Sequence, residues 1–125
     1  MDINRIDPEG MRFTGMSQAT VTDGWIHVSG QVAVRDGSVV GIGDPHAQAE
    51  QCFANIATVL GQAGTELDRV VKLTCFLADK SAYAGFAEVR NRLFAAHPPA
   101  SSVVIVKELL LPELLMEIEA IAKTA

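Results

Sequence analysis

The run from Asp44 to Gly64 restricts the possible folds of this chain more than any other stretch. Asp44 followed by Pro45 is a helix start: an acid that can cap free backbone N–H groups, then a residue whose fixed φ suits the first turn. Ala49, Cys52, Phe53, Ile56, Ala57, Val59, Leu60 and Ala63 recur at three- and four-residue spacing, and Gly64 stands where a helix stops. The apolar face is broad and needs a partner. The segments on either side are rich in strand formers, so the partner is a sheet.

Two turn pairs organise the first half. Asp23-Gly24 joins the β-rich segment Ser17–Thr22 to Trp25–Ser29, and Asp36-Gly37 joins Gln31–Val34 to Ser38–Val40. Alternation puts Trp25, His27 and Ser29 on one face and Ile26 and Val28 on the other. A short strand is expected at Met11–Phe13. In the second half, Val70–Leu77 carries apolar residues on both faces, as a central strand does. Asp79 or Ser81 caps a second helix, whose buried stripe is Phe86, Val89, Leu93 and Phe94. Pro98-Pro99 ends that helix and releases Val103–Val106. Leu115–Ala122 is the last strand, and the site is expected where these final two strands meet.

The order β-β-β-α-β-α-β-β predicts an α+β fold with both helices on one face of the sheet. At 125 residues the chain forms one domain, 1–125, able to bury about two thirds of its unfolded surface. Hydrophobic residues make up 49 % and charged residues only 20 %, which suits a chain that buries apolar surface against further copies of itself, the alternative being a compact monomer with a generous core. The net charge of −5 and the scattered basic residues speak against nucleic acid as a partner. Without a basic, apolar leader or a membrane-length run, a cytoplasmic protein without a membrane partner is expected. Cys52 and Cys75 read as buried free thiols of a reducing compartment.

His27, His46 and His97 lie in unrelated contexts and neither cysteine has a ligand-spaced neighbour, so no metal is expected. No serine sits in a nucleophile elbow. Glu117 and Glu119, two apart on a strand, share a face. Held in a partly desolvated cleft between subunits, one of them would gain a raised pKa suited to proton transfer. Ser29-Gly30-Gln31 gives either a close backbone approach to a ligand or a bulge glycine.

Taken together, Val28-Ser29-Gly30-Gln31-Val32, Gln48–Gly64, Val70–Asp79, Pro99-Ala100-Ser101-Ser102 and Glu117–Ala122 resemble the RidA/YjgF family of reactive-intermediate imine and enamine deaminases. The resemblance covers nearly the whole chain. It implies a chorismate-mutase-like fold, one mixed sheet with two helices on one face, assembled as a barrel-cored homotrimer with three small-molecule clefts between subunits. It implies no cofactor. In such relatives water attacks an imine carbon, ammonia leaves and a keto acid remains.

By the same resemblance Glu117 is the catalytic, water-handling carboxylate, and Ser29, Gly30, Ser101, Ser102, Met16 and Ala87 belong to the substrate-binding set, to which the one-turn spacing from Ala87 adds Arg90. The chain departs from the family pattern there. Ser101 replaces a substrate-clamping arginine, Met16 a usual tyrosine and Ala87 a usual asparagine, while Val103 stands where some members have cysteine. A charge-assisted clamp contributes about 1.5–3 kcal/mol. The expected function is therefore hydrolysis of an imine, enamine or related small substrate other than the standard 2-imino acids. The alternatives are a non-catalytic ligand-binding or regulatory trimer and, third, an endoribonuclease. Arg90, one helical turn from Ala87, and Arg12 and Lys107 are the cations able to reach the same cleft, the alternative for each being solvation at the surface.

Overall fold

In the computed structural model, which describes residues 2–125, the long helix forms where its end signals place it. Helix α1 spans Pro45–Gln62, and the Asp44 carboxylate accepts a hydrogen bond from the Ala47 N–H at 3.0 Å. Gly64, two residues past the end, adopts a φ of 81°. Its inward face (Gln48, Ala49, Cys52, Phe53, Ile56, Val59, Leu60) is buried.

The strands are β1 (Asn4–Ile6), β2 (Ala19–Thr22), β3 (Trp25–Val32), β4 (Val34–Arg35), β5 (Ser38–Val39), β6 (Val70–Leu77), β7 (Ala100–Ile105) and β8 (Met116–Lys123). Helix α2 spans Tyr83–Leu93. Six strands form one sheet in the order β1-β2-β3-β8-β6-β7, and β4 and β5 form a separate ribbon. Among the described residues only β6 and β7 run parallel, joined by α2 as a crossover. Both predicted turns are left-handed at both central residues: Asp23 and Gly24 have φ of 53° and 80°, Asp36 and Gly37 of 52° and 80°.

One face of the central strands meets the helices. Ile26, Val28, Leu73, Cys75, Leu77, Met116, Ile118 and Ala120 are buried with Phe53, Ile56, Leu60, Phe86 and Val89. Each large aliphatic or aromatic side chain so buried contributes about 1.5–3 kcal/mol. The rings of Phe53 and Phe86 stack at 6.1 Å, and Phe94 meets Phe53 edge-on at 5.5 Å. Where α2 crosses α1, a side-chain carbon on Gly85 would lie 2.7 Å from the His46 nitrogen, so the two backbones touch.

Three expectations about local structure need correction. Met11–Phe13 is not a strand: Gly10 and Gly15, at φ of 83° and 87°, turn the chain on both sides and leave one bridge, Phe13 to Met16. The N-terminal edge strand is β1 instead. Helix α2 stops at Leu93, well before the prolines; past Phe94 the side chains of Ala95, Ala96 and His97 are exposed and have no core to reach. And β7 and β8 do not meet, because β6 pairs with both and lies between them. Among the described residues no helix is long and apolar enough to cross a membrane.

Candidate functional site

Among the described residues no helix lies over the second face of the sheet. On β8 the residues Met116, Ile118, Ala120 and Ala122 point to the core, while Glu117, Glu119 and Ile121 point to this open face, as the alternation required. Thr74 and Phe76 of β6 stand opposite Glu119 and Glu117.

Beside Glu117 the strand pairing slips. Val28 faces Ala120 but Gln31 faces Ile118, so three steps along β3 match two along β8. The extra residue is a bulge at Ser29-Gly30. The group pressed against Gly30 is the Glu117 side chain: a carbon added to Gly30 would fall 2.7 Å from the Glu117 carboxyl carbon. Glycine here leaves room for the carboxylate and is not demanded by the backbone, whose φ lies outside the left-handed region.

Buried amides hold the bulge. Gln31 Nε2 donates to Gln18 Oε1 at 2.7 Å and to the Ser29 carbonyl at 3.1 Å, and Gln18 Nε2 donates to the Met11 carbonyl at 2.6 Å. Ser29 Oγ donates to the Ser17 carbonyl at 2.7 Å. These bonds tie the loop that carries Met16 to the bulge. Met16 and Ser29 thereby line an open concavity of about 570 Å³, together with Arg5, Thr20, His27 and Glu119. Glu119 lines it and Glu117 does not, being turned toward Gly30.

Burial pushes the Glu117 carboxyl above the ordinary glutamate value, and the neighbouring Glu119 charge pushes it the same way. A half-exposed carboxylate of this kind can accept a proton from, and return one to, a bound water or ligand.

Ser101 and Ser102 point to opposite sides of the edge strand β7. Ser102 turns to the open face and accepts from Lys72 Nζ at 2.8 Å. Ser101, opposite the buried Leu73, turns to the helix side. There Arg90 Nη1 donates to Ser101 Oγ at 3.3 Å, so a guanidinium from α2 stands beside the hydroxyl. Half-buried Ala87 lies one helical turn before it. Arg12 and Lys107 are exposed on loops.

The candidate residues thus form two groups. Glu117, Ser29, Gly30 and Met16 gather around the bulge and the open face. Ser101, Ala87 and Arg90 gather at the α2–β7 edge, on the other side of the sheet and two strands from β8. One chain does not bring the groups together. Arg5 and the Gln18–Gln31 pair escaped the sequence reading, because Arg5 lies on an unforeseen strand and a glutamine carries no motif. The face shared by His27 and Ser29 was the one signal of the concavity.

His27 lines the concavity, His46 lies near Glu88 at 3.6 Å where the helices cross, and His97 is exposed between α2 and β7. Among the described residues no three metal-ligating side chains converge.

A sequence profile of the family described as Endoribonuclease L-PSP matches residues 10–124. The mitochondrial protein MMF1 of Saccharomyces cerevisiae is 36 % identical over 108 residues, covering 86 % of this chain and 74 % of that protein. A putative regulator, AldR, from Lactococcus lactis is 34 % identical over 109 residues, covering 85 % and 84 %. The crystal structure of a protein of unknown function of the Rid family from Yersinia pestis superposes with a TM-score of 0.92 at 30 % identity, over 98 % of this chain and all of that one.

Proposed function

Because the chain belongs to the endoribonuclease L-PSP family, which includes the Rid and YjgF proteins, we propose that it hydrolyses an imine or enamine of a small metabolite. The clefts lie between copies in a homotrimer. One copy supplies Glu117, Ser29, Gly30 and Met16; its neighbour supplies Ser101, Ala87 and Arg90, with Ser102 on the adjoining edge. The separation of the two groups on opposite sides of one sheet supports this division, as does the uncovered second face.

In the reaction, water adds to the imine carbon while Glu117 accepts its proton. The carboxylic acid returns that proton to nitrogen to give a carbinolamine, and Glu117 then carries the carbinolamine hydroxyl proton to nitrogen as the C–N bond breaks, which releases ammonia and leaves a carbonyl product. The single observation that carries this reading is the Glu117 carboxyl, half-buried over a bulge glycine and raised in pKa. Ser101 stands in place of the family's clamping arginine, so the standard small 2-imino acids are poor substrates. The test is ammonia release from imines generated in place by an amino acid oxidase. Wild type accelerates release and Glu117→Gln does not; equal rates for the two would remove Glu117 from the chemistry. Sedimentation gives the number of subunits.

A non-catalytic regulatory trimer is the second reading, favoured by the likeness to a putative regulator. It requires a saturable rise in melting temperature with a metabolite and no turnover of any imine. RNA cleavage, suggested by the family's description, is the least supported, because a chain of net charge −5 with dispersed basic residues offers phosphates no groove. Cytoplasmic residence remains part of the proposal, to be checked by localisation because MMF1 is named as mitochondrial.

A further inference from the structure

Among the described residues Arg90 shares its lack of a carboxylate partner with Arg35 and Arg69, but of the arginines it alone lies against aromatic rings. Arg92, two residues on, pairs with Glu50. Arg90 pairs with no carboxylate among the described residues. Neutral groups hold it instead. Nε donates to Asn91 Oδ1 at 3.1 Å, Nη1 to Ser101 Oγ at 3.3 Å and Nη2 to Tyr83 Oη at 3.4 Å. Its guanidinium carbon lies 5.2 Å from the centre of the Phe86 ring and 5.9 Å from that of Tyr83.

Two of these bonds are long, and a guanidinium has five N–H groups, so donors remain for a ligand. The rings fix the plane of the fork and bury none of its charge against an acid. This is a preorganised receptor for an anion, and a planar bidentate anion fits it best.

The surroundings narrow the ligand further. Phe86 is fully buried beneath the fork, but Tyr83 is 42 % exposed and leaves part of its ring open. Ala87, between Tyr83 and Arg90 on the same face of α2, fills little of the space beside it. We propose that the α2–β7 edge selects carboxylates bearing a planar apolar group, with the carboxylate on Arg90 and Ser101 and the flat group over Ala87 against Tyr83. The inference deepens the hydrolytic reading by naming its substrate class: imines of 2-oxo acids with aromatic side chains. All of its residues come from one chain, so the selection needs no particular oligomer.

The test uses two keto acids, phenylpyruvate and pyruvate, as probes in calorimetric titrations of the full chain. Wild type binds phenylpyruvate roughly three- to tenfold more tightly, the range an aromatic contact supplies. Arg90→Met, whose stem still covers Phe86, weakens both probes by about tenfold or more. In Tyr83→Ala the two probes bind alike, and Tyr83→Phe, which keeps the ring, restores the preference for phenylpyruvate. Equal wild-type affinities overturn the aromatic selection, and undiminished binding by Arg90→Met overturns the anchor. Both results stand apart from the hydrolytic reading. Absence of any imine turnover would sink that reading without altering these affinities. Glu117-dependent turnover that is indifferent to Arg90→Met would do the reverse.

Discussion

The carboxyl carbon of Glu117 occupies the space a side chain on Gly30 would need, 2.7 Å from where its first carbon would stand. The β3 bulge and the β8 carboxylate are therefore one arrangement: the extra residue in the strand makes the recess into which the glutamate turns. Because Gly30 has no left-handed φ, the backbone itself accepts a side chain.

Gly30→Ala should consequently act on the carboxylate far more than on the fold. The atoms it meets belong to a flexible side chain, which swings away at a stability cost of less than about 1 kcal/mol. Glu117, once displaced into solvent, loses its raised pKa, and imine hydrolysis falls to the level of Glu117→Gln. Denaturant titration and carboxyl NMR titration read the two effects separately. A large loss of stability with an unchanged Glu117 titration would contradict the geometry.

The raised pKa has a stability consequence with a definite sign. Between the ordinary glutamate value and the higher folded value, the native state holds more protons than the unfolded state. Stability therefore falls as pH rises through that window, and the penalty is complete above it. Glu117→Gln removes the penalty, so the variant should melt higher than wild type at pH 7 and at the same temperature below pH 4. Solvent around the half-exposed carboxyl keeps the gain under about 1 kcal/mol. Glu119→Gln should give a smaller shift in the same direction, since its charge is the lesser cause. A variant less stable than wild type at pH 7 would mean that Glu117 is held by favourable contacts.

Cys75 sits in the wall behind Arg90. Burial lifts its thiol to about 12 although the nearby arginine pulls it down, and Cys52 is pushed up further by burial and by Cys75. At pH 8 a pKa of 12 leaves roughly one thiolate in ten thousand. Ellman's reagent should find no reactive thiol in the native protein and both in denaturant. Rapid native labelling of either would show that the sheet–helix layer opens at the α2 edge.

The legible parts of the fold were those set by local chemistry. Asp44-Pro45, the Asp-Gly turns and the period-two face of β8 each act over a few residues, and each formed as expected. Sheet order was illegible, because β7 and β8 are consecutive in the chain and separated only by the parallel pairing of β6. That choice rests on long-range packing. In the candidate site, Glu117 and Gly30 could each be picked out singly, but their contact depends on a one-residue slip that has no signature beyond the glycine. The placement of Arg90 against Ser101 depends in turn on where α2 ends, which the prolines did not mark.

Gln48 tests how β8 is positioned. It is fully buried, on the face of α1 that should hold only apolar groups, and its amide is used at both ends. Nε2 donates to the Glu113 carbonyl at 2.9 Å and Oε1 accepts from the Leu115 N–H at 2.8 Å. Both partners lie just before β8, so the bonds fix where that strand begins and hence the register of Glu117, two residues past Leu115. Gln48→Leu has nearly the same volume but leaves a carbonyl and an N–H without partners, at a cost of about 2–4 kcal/mol. Gln48→Glu keeps both bonds only as the neutral acid, so its stability should fall as pH rises and the carboxyl ionises. Urea titration gives the stabilities, and amide exchange at Leu115 gives the local effect, which should speed up in Gln48→Leu by more than the global loss accounts for. Exchange at Leu115 that merely follows global unfolding would mean that strand pairing alone, without Gln48, sets the start of β8.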